Sequence, residues 1–126
     1  MILNLSDLSD EPLQSQIYRQ LRAMILAGDL KAGDMLPSIR ALAREERVSV
    51  ITVQRGYEML ERENLIISRR GKGFFVSEIL DVDKKIIAED RLKEKISPII
   101  ELAKSEGLSV EEINLILSQI MKSRNN

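Results

Sequence analysis

Apolar residues recur at helical spacing from near the start of the chain. The first such stretch predicts a helix over about residues 12–27, because its apolar positions fall on one face and Pro12 is tolerated in a first turn: Leu13, Ile17, Leu21, Met24 and Ile25. Gly28 and Gly33 follow in "AGDLKAGDML", where glycine can adopt the left-handed conformation that ends a helix. We expect a turn there.

Two serines mark the starts of two further helices. Pro37 stops the preceding segment, and Ser38 can cap a helix over about residues 38–46. Ser49 can cap another helix almost at once. In that third helix one face is apolar (Val53, Tyr57, Leu60) and the opposite face carries Ile51, Arg55, Glu58 and Arg62. Two helices joined by so few residues predict a helix-turn-helix.

The segment after the third helix has the pattern of a β-hairpin. The β-rich runs "NLIISRR" and "FFVSEI" flank the glycines of "GKG", which suit a tight loop. The tip of this projection carries three cations, Arg69, Arg70 and Lys72. Three helices followed by a basic hairpin predict a winged helix, in which one helix enters the major groove of DNA and the wing lies on the adjacent backbone.

Helical spacing returns from about residue 80. One stripe comprises Leu92, Ile96, Ile99, Ile100 and Ala103, and Gly107 ends that helix. Ser109 and Glu112 form a capping box before a second stripe of Ile113, Ile116, Leu117, Ile120 and Met121. The predicted fold is mainly α with a small β-hairpin: a winged helix-turn-helix over residues 1–77, followed by two C-terminal helices over residues 78–126.

Composition excludes most enzymatic functions. With 44% hydrophobic and 31% charged residues among 126, the chain is of the globular class, and it has neither cysteine nor histidine. The thiolate nucleophile, the usual general base and the commonest metal ligands are therefore missing. We expect no enzyme, no metal site and no cofactor. No apolar run approaches the roughly 20 residues that span a bilayer, and the start lacks the cationic region of a secretion signal, so we expect a soluble cytoplasmic protein with no membrane partner.

The formal net charge of −1 conceals an uneven distribution. Residues 38–73 contain eight cations and five anions, which makes that segment +3 and the remainder of the chain −4. The positive segment coincides with the predicted helix-turn-helix and hairpin. A local cationic surface is what binding to the phosphates of a duplex requires.

Three motifs in this segment resemble the winged-helix domain of the GntR family of bacterial transcription regulators. They are "LPSIR" in the second helix, "TVQRGY" in the third and "RRGKGFFV" in the wing, in the family's order and spacing, and the resemblance covers about residues 11–76. The short C-terminal extension is similar to that of the YtrA-type subfamily, whose members carry two helices there for dimerisation. About 50 residues could not build the large effector-binding domains of other GntR subfamilies.

The resemblance implies specific DNA contacts. In the second helix, Ser38 caps the helix and touches phosphate, and Arg40 reaches a base edge or the backbone. At the start of the third helix, Thr52 contacts phosphate and Gln54 a base. The whole predicted DNA-binding set is Ser38, Arg40, Ser49, Val50, Ile51, Thr52, Gln54, Arg55, Arg69, Arg70, Gly71, Lys72 and Gly73. The wing cations meet phosphates, and the two wing glycines let the backbone approach the minor groove.

Val50 and Ile51 depart from the family pattern, which often has arginine or an Asn-Pro-Asn run at these positions. An apolar side chain there can contact a thymine methyl group or read DNA shape. Val50 could instead pack under the turn of the helix. Ile51 points away from Val53, which makes burial in the domain's own core a poorer explanation for it.

These features together predict a homodimeric repressor. The two C-terminal helices cannot bury both apolar stripes alone, so a second subunit is expected to cover Leu92, Ile96, Ile99, Ile100, Ile113, Ile116, Leu117 and Ile120. Two-fold symmetry predicts an inverted-repeat operator. The resemblance further implies control of a transporter operon. A small-molecule effector bound at the dimer interface and regulation by protein concentration alone both fit the sequence.

Other classes of function fit less of the pattern. A protein-interaction module would favour exposed apolar residues over Thr52, Gln54 and Arg55 in the third helix. An RNA-binding winged helix would need stacking aromatic residues, and apart from a tyrosine on the core face only Phe74 and Phe75 of the wing are near. A nucleotide-binding loop would need G-x-x-x-x-G-K-[ST], which "GKG" does not complete.

Overall fold

The structure, a computed structural model, describes residues 3–124. Its elements in chain order are α1 (Leu13–Ala27), α2 (Ile39–Glu46), α3 (Val50–Arg62), β1 (Ile66–Arg69), β2 (Gly73–Val76), α4 (Asp81–Ser105) and α5 (Val110–Arg124). This confirms the mainly helical fold with one hairpin. The chain divides into two compact units between Lys84 and Lys85. The functional boundary between residues 77 and 78 stays a prediction.

The core of the first unit lies between the apolar faces of α1, α2 and α3. Helix α3 is central, because it packs against α1, α2 and β1. The buried side chains come from each of these elements and from β2: Ile17, Leu21, Ile25, Leu42, Ala43, Val53, Tyr57, Leu60, Ile66 and Val76. Since burial of a large aliphatic side chain stabilises by about 1.5–3 kcal/mol, these contacts hold α3 firmly in one orientation.

A glycine allows α1 and α3 to approach closely. A Cβ atom on Gly56 would lie 3.0 Å from Ile17 Cγ2 and 3.3 Å from the carbonyl oxygen of Gln14. Both distances are tighter than ordinary van der Waals contact. The helix spacing at this crossing therefore depends on the missing side chain at position 56.

Both predicted serine caps are confirmed. Ser38 Oγ accepts a hydrogen bond from the N–H of Ala41, and Ser49 Oγ accepts one from the N–H of Thr52, each at 3.1 Å. Helix α2 ends at Arg47, which has φ 56° in the left-handed region. The N–H of Val48 then donates to the carbonyl of Ala43 at 3.0 Å. These bonds make the turn of the helix-turn-helix short and rigid.

The segment before α1, for which the sequence pattern made no prediction, is held along that helix by two glutamines. Gln16 accepts from the N–H of Ser6 at 2.9 Å and donates to the carbonyls of Ser6 and Glu11 at 2.9 and 2.7 Å. Gln20 exchanges two hydrogen bonds with the backbone of Asn4, at 2.7 and 2.8 Å. Each amide side chain thus satisfies backbone groups as a neighbouring strand would.

The second unit contains most of α4 and all of α5. Gly107, with φ 100°, follows the end of α4 as predicted. The capping box is confirmed, because the N–H of Ser109 donates to Glu112 Oε1 at 3.0 Å and the N–H of Glu112 donates to Ser109 Oγ at 3.1 Å. No helix among residues 3–124 combines the length and hydropathy needed to cross a membrane.

Apolar side chains of α4 and α5 line an open groove of about 150 Å³, called here the apolar groove: Ile96, Ile99, Ile100, Ala103, Leu108, Ile113, Ile116, Leu117 and Ile120. Of these residues only Ile113 is buried. Leu92, which the sequence pattern predicts to be covered by a second subunit, lies outside the groove and is exposed. Helix α4 itself buries no side chain.

Candidate nucleic-acid interface

The predicted DNA-binding residues lie on the N-terminal turns of α2 and α3 and at the tip of the hairpin. All are exposed except Thr52 and Gly73, which are half-buried. Hydrogen bonds within α2 and α3 orient Ser38, Thr52 and Gln54.

On α2, the cap residue Ser38 is exposed and its hydroxyl oxygen accepts the N–H of Ala41. Its hydroxyl hydrogen can still be donated outward, for example to a phosphate oxygen. Arg40 lies in the first turn of the same helix with an exposed side chain. The N-terminus of a helix favours anions, because its free N–H groups point outward.

On α3, the polar side chains of the first turns bond to one another. The hydroxyls of Ser49 and Thr52 are 2.7 Å apart. Gln54 donates from Nε2 to Glu58 Oε1 at 3.2 Å, which leaves its Oε1 atom and one N–H pointing away from the pair. The sequence pattern did not identify Glu58 as a partner, although the i, i+4 spacing was available as a signal.

Val50 and Ile51 have no such partners and are 47% and 49% exposed. About half of each residue is therefore accessible and the other half is covered by the protein, so packing of Val50 under the turn of the helix stays an alternative. Arg55, four residues after Ile51 and on the same face of α3, is also exposed. The outward face of α3 is thus apolar at its first turn and cationic at its second.

The wing consists of β1 and β2, paired antiparallel with Arg69 opposite Gly73. The N–H of Lys72 donates to the carbonyl of Arg69 at 2.8 Å and closes the loop. Gly71 and Gly73 have φ values of 74° and 115°, which side chains with a Cβ atom rarely adopt. This geometry holds Arg70 and Lys72 at the exposed tip, as the sequence predicts.

A third extended segment supports the wing, where the sequence pattern predicted only a turn. The N–H of Gly33 donates to the carbonyl of Val76 at 2.9 Å, and the N–H of Val76 donates to the carbonyl of Asp34 at 2.8 Å. Met35 forms an isolated antiparallel bridge with Phe75. Strand β2 is therefore bonded on both edges, which makes the wing stiffer than a free two-stranded ribbon.

Tyr57 connects α3 to the start of α2 and to the wing. Its hydroxyl donates to the carbonyl of Pro37 at 2.7 Å, and its ring meets Phe74 edge-on with centroids 5.0 Å apart. Burial, together with the charge of Glu45, raises the pKa of Tyr57 above its ordinary value. The hydroxyl therefore stays protonated and able to donate. These contacts join α3 to the residue before the cap of α2 and to the wing.

The cations of this region are exposed and have no acidic partner among the described residues. Among residues 3–124, none of the following forms an ion pair: Arg40, Arg44, Arg47, Arg55, Arg62, Arg69, Arg70 and Lys72. Arg69 instead lies over the ring of Phe75 at 5.3 Å. By contrast Glu63, at the end of α3, is bonded to Arg22 and to the hydroxyl of Tyr18. The exposed positive charge is thus left available to an external anion.

No three acidic side chains among residues 3–124 converge in a way that could hold a metal ion.

Comparison with known proteins agrees with this geometry. The family model described as "Bacterial regulatory proteins, gntR family" matches residues 13–76. The HTH-type transcriptional repressor YtrA of Bacillus subtilis (strain 168) is 33% identical over 115 residues, which are 89% of this chain and 86% of that protein.

Two solved structures are also similar. A GntR family transcriptional regulator from Listeria monocytogenes has a TM-score of 0.76 and 28% identity, covering 91% of this chain and 98% of that one. YtrA from Sulfolobus acidocaldarius, a GntR-family transcription factor, has a TM-score of 0.59 and 30% identity, covering 73% of this chain and 97% of that one. The chain therefore belongs to the GntR family of bacterial transcriptional regulators and is similar in sequence and structure to its YtrA-type members.

Proposed function

We propose that this regulator is a homodimeric repressor that binds an inverted-repeat operator. The observation that carries the DNA-binding part of the proposal is the concentration of eight exposed cations between residues 38 and 73, none of them in an ion pair with a described residue. Charges without partners cost little in water but attract the phosphates of a duplex, and their binding releases condensed counterions. The similarity to the repressor YtrA supports repression as the output.

In the proposed complex the N-terminal half of α3 lies in the major groove. Gln54 reads a base, because the atoms left over from its bond to Glu58 are one donor and one acceptor, the pair that adenine N7 and N6 require. Arg55 and Thr52 contact the flanking backbone. Ser38 and Arg40 approach it from the start of α2, where helix N–H groups reinforce phosphate binding.

The wing completes the interface on the neighbouring backbone. Arg69, Arg70 and Lys72 meet phosphates, and the two glycines of the tip allow the main chain close to the minor groove. The bonds from Gly33 and Asp34 to β2 support this role, since a stiff wing loses less conformational entropy on binding than a free loop would.

A second copy of the chain is the proposed occupant of the apolar groove. Exposed side chains on it include Ile99, Ile116 and Ile120, at 65%, 40% and 52%. A contiguous apolar surface of this kind is costly in water. Two-fold symmetry lets the same surface cover itself on a partner, which also presents two copies of α3 to an inverted repeat. Control of a transporter operon stays a prediction.

The DNA-binding part is tested by selection. The purified chain is mixed with a random duplex library at near-physiological salt, and the retained DNA is sequenced. We expect enrichment of an inverted repeat. The double variant Arg70→Gln, Lys72→Gln should lose affinity for selected and random DNA, while the control Lys85→Gln, Lys93→Gln removes the same charge from exposed positions on α4 and should bind normally. Equal losses in both variants would mean that total charge, and not the wing, sets affinity.

The dimer is tested by sedimentation. Ile116→Glu places a charge in the apolar groove and should yield monomers. Leu115→Glu is the matched control, because it puts the same charge on the adjacent, 60% exposed residue of α5 outside the groove. The control should remain dimeric. An intact Ile116→Glu dimer would move the interface elsewhere.

A further inference from the structure

We infer that Val50 and Ile51 determine operator specificity by contacting thymine methyl groups. This inference rests on the proposed function, since it names the chemical feature that the same helix recognises. It assigns the two positions a role in base recognition that polar residues usually perform.

The two side chains are accessible at the first turn of α3. Val50 and Ile51 are about half exposed, whereas Val53, one turn along the same helix, is fully buried. Neither residue belongs to the buried core of the first unit. Their polar neighbours Ser49 and Thr52 bond to each other, so the first turn of α3 presents mainly apolar surface outward.

The surroundings favour DNA over a protein as the occupant of this surface. Arg55 follows Ile51 on the same face and has no acidic partner among the described residues, and the unpaired cations of the wing belong to the same unit. An apolar protein partner would have to bury Arg55 without neutralising it. A duplex neutralises it with phosphate.

Within the major groove, one group suits these side chains. Thymine is the base that presents a methyl group there, its C5-methyl, beside a single acceptor, while guanine, cytosine and adenine are distinguished by hydrogen-bond donors and acceptors. A valine or isoleucine against a methyl buries apolar surface on both partners and leaves no polar atom unsatisfied. Against the other bases, the same apolar side chain would displace water from a hydrogen-bond donor or acceptor without offering a hydrogen bond in its place.

The experiment uses the full chain and the selected operator. Each thymine of one half-site is replaced in turn by deoxyuridine, which removes only the methyl group, and the dissociation constant is measured by fluorescence anisotropy. We expect one or two positions at which the replacement weakens binding about fourfold, the effect of burying one methyl-sized group. Ile51→Ala or Val50→Ala should remove the difference between thymine and deoxyuridine at those positions.

Ile86→Ala is the matched control, since it makes the same change at a 48% exposed isoleucine of α4. That variant should still distinguish thymine from deoxyuridine. If no deoxyuridine position weakens binding, or if Ile51→Ala and Val50→Ala weaken binding equally to both duplexes, the methyl contact is refuted while the DNA-binding regulator stands. Selection of no operator sequence would refute the proposed function, and the inference with it.

Discussion

Removal of the Tyr57 hydroxyl tests how the recognition helix is positioned. In Tyr57→Phe the ring keeps its edge-on contact with Phe74, and only the 2.7 Å hydrogen bond to the carbonyl of Pro37 is lost. Tyr57 is fully buried and Pro37 half-buried, so water replaces the lost partner only in part. We expect a loss of about 1–2 kcal/mol in the free energy of unfolding of the first unit.

That loss is measurable by urea denaturation followed by circular dichroism. It should lower the melting temperature by about 4–8 °C per kcal/mol for a unit of this size. The urea midpoint should fall with an unchanged slope. The comparison variant Tyr57→Leu removes the ring contact as well and should cost more. A Tyr57→Phe midpoint equal to that of the wild type would show that the hydroxyl bond contributes nothing, and that core packing alone orients α3.

The same variant has a distinct pH signature. Burial raises the pKa of Tyr57 above its ordinary value of 10.0, so the folded state favours the neutral hydroxyl. The contribution of the neutral Tyr57 hydroxyl to the free energy of unfolding is fully present below pH 10 and is lost as the pH rises through the raised pKa. Tyr57→Phe should therefore be less sensitive than the wild type to alkali above pH 10. Identical alkaline unfolding curves for the wild type and Tyr57→Phe would contradict a raised pKa of Tyr57 in the folded state.

Three further outcomes are expected. Gly56→Ala should lower the free energy of unfolding, measured in urea, by about 1 kcal/mol, because overpacking against the Gln14 carbonyl outweighs the gain in helix propensity. A stabilised variant would mean that α1 can move to make room for the added methyl group. Lys72→Ala should reduce the slope of the logarithm of the DNA-binding constant against the logarithm of the salt concentration by roughly one unit. An unchanged slope would mean that Lys72 of the wing does not contact the DNA backbone. The bond from the Ser109 N–H lowers the pKa of Glu112, so its stabilisation of α5 is present above about pH 4.5 and lost as the pH falls further. Glu112→Gln should flatten that acid dependence of helical circular dichroism, and a curve like that of the wild type would exclude the capping box as its source.

Much of the candidate interface could be predicted because its signals are local. The caps at Ser38 and Ser49 follow from one side chain and the backbone three residues away. The wing tip follows from glycines between β-rich runs. Interactions of this range depend on neighbours in the chain, so the sequence contains them whatever the remainder of the fold does.

Other features were missed because they join distant residues. Tyr57 and Pro37 are 20 positions apart, and the polar pattern of "AGDLKAGDML" gives no sign that Asp34 will bond to Val76. The hydrogen bonds of Gln16 and Gln20 to the backbone of the N-terminal segment could not be predicted either, since a glutamine in a helix is ordinarily a solvated residue.

By itself the sequence determined the five helices, the hairpin, the capping residues and the concentration of positive charge between residues 38 and 73, because periodicity, turn chemistry and charge are properties of short segments. Only the tertiary structure decided that the wing is bonded on both edges, that Tyr57 connects α3 to the wing, and that Val50 is about half exposed. These features depend on which elements pack together, and packing is a property of the whole core.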